Sequence, residues 1–248
     1  MTPALAAFLL APGLALGSFL NVVAARVPLR LSIVRPRSAC PACGAPIGWR
    51  DNIPVLSYAL LRGRCRACRS PIGLVYPLVE VATALLLAGC VLAFGASVRA
   101  AAAAVLCAAL VVVTATDIAH RIVPNRVVLP AGVLVLAADT VAQPGYQWAA
   151  AAFGASLFLL IAALAYPGGM GMGDVKLAFL MGAGLGRTVP VALMLGMVLA
   201  LVPSAVLMAR HGAAARKMAI PFAPFLAAGS VVALFVGPSL LHLYLGLL

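Results

Sequence analysis

Asp117 and Asp174 are the residues of this chain best placed to do chemistry. Only five of its 248 residues are acidic, and these two sit at the ends of long apolar runs, in TATDIAHRIVPN and GGMGMGDVKLAF. A carboxylate at a hydrocarbon boundary is costly unless it is paired, hydrated or neutralised, so it is a functional candidate by default. If the two meet within hydrogen-bond range, like charges cannot both ionise cheaply; one shared proton leaves a general base and a general acid. Such a pair activates water against a peptide carbonyl without metal or covalent intermediate. The glycines before Asp174 (Gly168, Gly169, Gly171 and Gly173) let backbone approach a substrate closely and keep the following helix start deformable. With Asp174 at a helix N-terminus, the macrodipole singles it out as the base of the pair. Each residue also has a structural reading. Asp174 suits a helix cap, and Asp117 suits the turn that ends at Pro124, or a pairing with Arg121 or Arg126.

The second group is Cys40-Pro-Ala-Cys43 and, after 21 intervening residues, Cys65-Arg-Ala-Cys68. Two Cys-x-x-Cys knuckles at this separation match a tetrahedral four-cysteine zinc site, each supplying two thiolates from a tight turn. Gly44 and the basic residues around the second pair suit such turns. A disulfide framework is the competing reading, and it is disfavoured if the loop lies in a reducing compartment. A redox pair needs a βαβ surround, for which this proline-rich loop is too short. Cys90 and Cys107 lie alone in apolar runs and read as small buried hydrophobes.

The elements that must position these groups are membrane helices. The chain is 65% hydrophobic and 9% charged, with a mean hydropathy of +1.16, which excludes an ordinary soluble domain. Apolar runs fall at 4–25, 74–95, 98–116, 127–142, 147–166, 175–187, 188–209 and 223–246. The expected fold is therefore an all-α polytopic membrane protein of about eight transmembrane helices, the fourth and sixth short, with a small cytoplasmic four-cysteine loop domain between helices 1 and 2. Its expected domains are a first helix at 1–25, the cysteine loop at 26–73 and a transmembrane core at 74–248. The first run has no basic residue before it and Asn21 and Arg26 directly after it, so it reads as a retained helix rather than a cleaved signal.

Positive charge sets the orientation. With the N-terminus outside, 15 of the 17 Lys and Arg fall inside, nine of them in the loop 26–73, and only Arg99 and Arg187 fall outside. The net charge of +12 is then accounted for by topology and anionic lipid, with no nucleic-acid partner. Helix parity puts Asp117 and Asp174, 57 positions apart, at the same cytoplasmic face. Glu80 falls inside the second long helix near that face and is expected to bind Lys176 or an arginine. Asp51 is expected in water or paired with a nearby arginine, and Asp139 at the headgroups. His120, His211 and His242 show no metal-ligand spacing, and no Ser-His-Asp order, P-loop or His-Glu-x-x-His pattern is present.

Five segments taken together resemble the type IV prepilin peptidases, aspartyl membrane peptidases of the Gly-x-Gly-Asp type from the bacterial inner membrane. They are GSFLNVVAARVP at 17–28, the cysteine loop and helix start at 40–83, DIAHRIVPN at 117–125, GMGDVKLAF at 171–179 and PFAPFLAAG at 221–229. The resemblance implies that Asp117 and Asp174 cleave the short basic leader of prepilins and pseudopilins at the cytoplasmic face. The cut follows a glycine, just before an apolar segment. It also implies that Cys40, Cys43, Cys65 and Cys68 bind zinc, and that the new N-terminus is methylated from S-adenosylmethionine. Gly171, Gly173, Glu80 and Lys176 would support the site; no donor pocket is recognisable and the oligomeric state is undetermined. The residues leave open a peptidase without methyl transfer, a proton-coupled transporter and a zinc-bearing scaffold for secretion machinery.

Overall fold

In lipid, a run of some twenty apolar residues satisfies its own backbone hydrogen bonds only as a helix. The computed structural model, which describes residues 2–166, 170–212 and 220–246, is helical accordingly. Eight long helices follow in order: α1 (Thr2–Arg26), α3 (Val75–Phe94), α4 (Val98–His120), α5 (Asn125–Ala142), α6 (Gln147–Ala165), α7 (Met172–Leu185), α8 (Val189–His211) and α9 (Ala223–Leu245). A short helix, α2 (Leu56–Leu60), lies in the polar loop. Seven segments among the described residues are long and apolar enough to cross a membrane, α7 and α8 counting within one stretch, Met172–His211. The chain is a multi-pass membrane protein. The eight expected runs are eight helices, but the sixth, α7, has only 14 residues. At ~1.5 Å per residue it spans ~21 Å, short of a ~30 Å hydrocarbon core. Gly186 ends it with φ +54, a left-handed conformation that favours glycine, and a single 3-10 turn leads into α8.

The chain divides into two compact units, Met1–Ala100 and Ala101–Leu248. In the first, α1 lies against α3 along a Gly13-x-x-x-Gly17 stripe. A Cβ on Gly13 would lie 2.7 Å from Ala84 Cα, and one on Gly17 2.5 Å from Glu80 Cα. Small residues let the two backbones touch. Asn21 of α1 adds a hydrogen bond, its Nδ2 donating to the Tyr76 carbonyl at 3.1 Å.

In the second unit α7 is the central element, packed by α5, α6 and α9. Its residues Val175, Leu177, Ala178, Leu180, Met181 and Leu185 are all buried, as expected of a helix apolar all round. Gly182 lets it press onto the α6 backbone at Ala151. The outer faces of α5, α6 and α8 expose Val133, Leu134, Phe153, Phe158, Val198 and Leu201, apolar surface that suits lipid. Asp139 departs from expectation. It is fully buried in α5 rather than at the headgroups, because its position on the helix faces the protein interior.

Candidate functional site

Asp117 sits in the last turn of α4, and its carbonyl accepts the Arg121 N–H at 2.9 Å as the helix ends. Arg121 takes φ +55 there, and the chain runs through Val123 and Pro124 into α5. Asp117 is 7% exposed. Its Oδ2 accepts the Ala223 N–H at 3.1 Å, 106 positions away. That donor is the first N–H of α9, one of the four that a helix leaves unsatisfied. The PFAPF stretch therefore reaches the carboxylate through its backbone, a contact that sequence reasoning missed.

Asp174 is half-buried at the third position of α7, after Gly171 at the cap. Its own N–H donates to the Gly171 carbonyl at 3.1 Å, and its Oδ2 lies back toward Gly171, 3.7 Å from where a Cβ on that glycine would stand. It is thus not the cap residue itself. Asp117 accepts an N–H at the start of α9, and Asp174 lies in the first turn of α7, so each carboxylate adjoins a helix N-terminus.

Three observations bring the two segments together. Val123, between α4 and α5, packs on Gly173, where an added Cβ would lie 2.8 Å from Val123 Cβ. Lys176 Nζ donates to Asn125 Oδ1 at 3.0 Å. Asp117 is among the charges acting on Asp174, and Arg121 acts on Asp117. DIAHRIVPN and GMGDVKLAF are therefore neighbours in space, with Gly173 at the junction and Gly171 beside the Asp174 carboxylate. Gly168 and Gly169, also expected beside Asp174, and the cations Arg216 and Lys217 lie outside the described residues.

The four cysteines of the loop cluster, all four Sγ atoms lying within 4.8 Å of one another. Cys40 and Cys68 Sγ are 3.8 Å apart, the edge of a tetrahedron with ~2.3 Å metal–sulfur bonds being ~3.8 Å. Two turns of the same shape present them. In the first, Cys40 N–H donates to Ala45 O and Gly44 N–H to Cys40 O; in the second, Cys65 N–H donates to Ser70 O and Arg69 N–H to Cys65 O. Bridges Ala39↔Pro46 and Arg64↔Pro71 close them, and Gly44 and Arg69 take φ of +70 and +60. The sequence carries this as a repeat, CPACGAPIG and CRACRSPIG.

The Cys43 and Ala42 backbone N–H groups, helped by Ser70, bring the Cys40 thiol down to about 6. The Ser70 hydroxyl and N–H lower Cys68 as well. Cys43 has the Ala45 N–H favouring its thiolate, yet the Cys68 and Cys40 sulfurs push it up to about 11. Four crowded sulfurs resist becoming four thiolates, and a bound divalent cation removes that resistance. The donor set fits zinc.

Glu80 is 8% exposed and its Oε2 accepts the Val55 N–H at 2.8 Å. This replaces the expected bond to Lys176 or an arginine. Val55 takes φ +61, where a β-branched residue is an outlier. Asp51 pairs with Arg66, Nη2 to Oδ1 at 2.6 Å, tying the 3-10 turn Trp49–Asp51 to the second knuckle.

A membrane-embedded helical unit that makes two carboxylate-bearing helix ends neighbours, in a chain that also carries a four-cysteine module, has the features of an intramembrane aspartyl peptidase. Comparison with known proteins is more specific. Residues 12–94 match the bacterial peptidase A24 N-terminal domain, and residues 104–205 match the type IV leader peptidase family. The prepilin leader peptidase/N-methyltransferase of Bacillus subtilis (strain 168) is 36% identical, over 94% of this chain and 95% of its own. That of Burkholderia pseudomallei (strain 1026b) is 38% identical over 93% and 85%, and that of Pseudomonas aeruginosa 34% over 94% and 91%. No solved structure matches. The chain belongs to the type IV prepilin leader peptidase family.

Proposed function

We propose that the protein removes the leader peptide from prepilins and pseudopilins and then methylates the new N-terminal amine. The observation that supports cleavage most is the meeting of the Asp117 and Asp174 segments through Val123–Gly173 and Lys176–Asn125. In this reading one carboxylate takes a proton from a water held between them as its oxygen attacks the scissile carbonyl. The other, protonated, donates to the carbonyl oxygen, giving a neutral tetrahedral intermediate. Collapse breaks the C–N bond as the amine takes the proton gained by the base and one hydroxyl of the intermediate returns its proton to the second carboxylate. Ala223 N–H holds the Asp117 carboxylate in position, and the first turn of α7 positions Asp174.

The charge split favours an N-terminus outside and the cysteine loop and both aspartates at the cytoplasmic face. A prepilin with a basic leader and an apolar stem would present its scissile bond at that depth. Within this scheme 1–25 is a first membrane helix, 26–73 a cytoplasmic module held by zinc on Cys40, Cys43, Cys65 and Cys68, and 74–248 the peptidase core. S-adenosylmethionine, when bound, supplies an electrophilic methyl group to the exposed amine.

Asp117→Asn and Asp174→Asn should each abolish leader removal while the protein stays in the membrane at normal abundance. Cleavage at the parental rate by either variant would rule out the pair. Incubation of the parent protein with a leader-less pilin and labelled methyl donor tests the second activity, and an unlabelled N-terminus would remove it.

A further inference from the structure

Between α6 and α8 the second unit carries a furrow that neither aspartate lines. α6 packs on α7 and α8 on α9, and a cavity of about 740 Å³ is left between them, within the ~300–1,000 Å³ range of small-ligand pockets. Its walls are apolar, with Ala150, Gly154 and Phe158 on α6 and Leu193, Met197 and Leu201 on α8. A Cβ on Gly154 would meet nothing within 4 Å, so the furrow is open at its middle. On α6 the lining runs from Gln147 to Phe158 and on α8 from Val189 to Leu201, ~17 and ~18 Å at ~1.5 Å per residue. That is close to half of a ~30 Å hydrocarbon core, the depth of one leaflet. A membrane-spanning helix of another chain needs a furrow about twice as long; a single acyl chain does not.

One end of the furrow is polar. Tyr146, Gln147 and Arg187 line it at the starts of α6 and α8, and Tyr146 is exposed, as suits an aromatic ring at headgroup level. α7 runs from Asp174 toward this end, so the polar mouth lies away from the aspartates. Arg187 is the informative residue. It is exposed and is one of the two cations that the charge split puts outside. The other, Arg99, lies over the Phe94 ring at 5.1 Å. Among the described residues the one salt bridge is Asp51–Arg66, so no carboxylate pairs with Arg187. A cation left unbalanced at the mouth of an apolar furrow complements an amphiphile with an anionic head and an apolar tail.

From this complementarity we infer that the α6–α8 furrow is a binding site for an anionic phospholipid of the leaflet away from the aspartates. Arg187 holds the phosphate, Gln147 and Tyr146 donate to the headgroup, and one acyl chain lies along Gly154 and Met197. A zwitterionic headgroup brings its own ammonium and gains less from Arg187, so the site selects for net negative charge. The positive ends of α6 and α8 add to that selection. The lipid fills a gap that side chains leave, and its binding stabilises the unit by mass action.

The full chain, purified in detergent and stripped of lipid, is titrated with phosphatidylglycerol or with phosphatidylcholine of the same acyl chains. Native mass spectrometry quantifies the one-lipid complex. The parent should bind phosphatidylglycerol at least about ten-fold tighter, the scale of one charge-assisted hydrogen bond. Arg187→Gln should bring phosphatidylglycerol down to the level of phosphatidylcholine, whose own affinity barely changes. Arg99→Gln, which removes the other outside cation, should leave both affinities as they are. Gly154→Leu puts a side chain into the open furrow and should abolish the tight binding while the lipid-free thermal midpoint stays at the parental value. Glycerol phosphate, which has the anionic head without the tails, should not displace the lipid; displacement at equal concentration would make the site an anion pocket only. Equal affinity of the parent for the two lipids, lost selectivity in Arg99→Gln as well as in Arg187→Gln, or undiminished binding by Gly154→Leu would each overturn the assignment. So would a Gly154→Leu chain that keeps its lipid but loses a dimer or its hold on prepilin, because the furrow would then seat a protein helix.

Discussion

Gly173→Ala tests whether the junction between the two aspartate segments governs catalysis. The new Cβ would lie 2.8 Å from Val123 Cβ and 3.0 Å from Val123 Cγ2, whereas carbon atoms at rest sit ~3.5–4.0 Å apart. The clash is with a β-branched side chain close to its own backbone, so either residues 121–124 or the first turn of α7 must move by roughly 0.5–1 Å. Either movement changes the position of one aspartate relative to the other. A misplacement of ~1 Å costs about 100-fold in rate, and that is the predicted loss of leader cleavage. Stability should change little. Overpacking costs about 1–3 kcal/mol, while Ala in place of Gly inside a helix returns up to ~1 kcal/mol. The assay is single-turnover cleavage of a prepilin in reconstituted vesicles, with enzyme quantified in the same preparation. Val123→Gly combined with Gly173→Ala removes both obstructing atoms, Val123 Cβ and Cγ2, and should restore at least a tenth of parental activity. A Gly173→Ala enzyme that cleaves within three-fold of the parent would refute the reasoning. So would a double variant no faster than the single one.

Three further outcomes are expected. Ala223→Pro removes the N–H donated to Asp117 at a position where proline is tolerated, the first of a helix. Losing a charge-assisted hydrogen bond of about 1.5–3 kcal/mol should slow cleavage by roughly 10- to 150-fold, and an unaltered rate in vesicles would show that the contact is incidental. Purified protein should carry one zinc per chain by atomic absorption. Chelation should make residues 26–73 sensitive to protease, whereas a metal-free chain with a resistant loop would contradict the zinc module. Asp51 is held below the usual carboxylate range by hydrogen bonds from Arg66, with Arg66's charge assisting against partial desolvation. A lowered folded-state pKa makes this contact contribute above the unfolded value of ~3.9 and fade as pH falls through the lower folded value. Protease resistance of Asp51→Asn and parent should therefore differ slightly at pH 7 and converge below about pH 4; a gap that widens in acid would reverse the assignment.

What the sequence disclosed and what it hid divide along a physical line. Apolar run length reports the helices directly, because lipid leaves the backbone no alternative. Helix parity expects one face for Asp117 and Asp174, and the Val123–Gly173 and Lys176–Asn125 contacts make their segments neighbours. The four cysteines announce themselves by spacing, and the repeated C-x-A-C-x-x-P-I-G pattern would have predicted two superimposable turns. The partners were not legible where they are backbone groups. Asp117 takes its N–H from Ala223 and Glu80 takes its own from Val55; a main-chain N–H has no residue type to mark it. Asp139 was misplaced for a related reason. Distance along a helix gives depth, but burial depends on which side neighbours cover.

The shortness of α7 explains how a carboxylate is tolerated at this place. A 14-residue helix falls ~9 Å short of the hydrocarbon thickness, so non-helical backbone must adjoin it at membrane depth. Such backbone is stable only where protein covers it. Here α7 is enclosed by α5, α6 and α9, and its start meets the turn at 121–124 rather than lipid. The groups left over at that turn and at the helix start have carboxylates and side-chain amides as their partners. Asn125 Oδ1 accepts from Lys176 Nζ, and Asp117 takes the Ala223 N–H. A full-length α7 would have closed its backbone within itself and carried Asp174 to the headgroups. The short helix instead keeps Asp174 beside the turn at 121–124, with protein rather than lipid around its start.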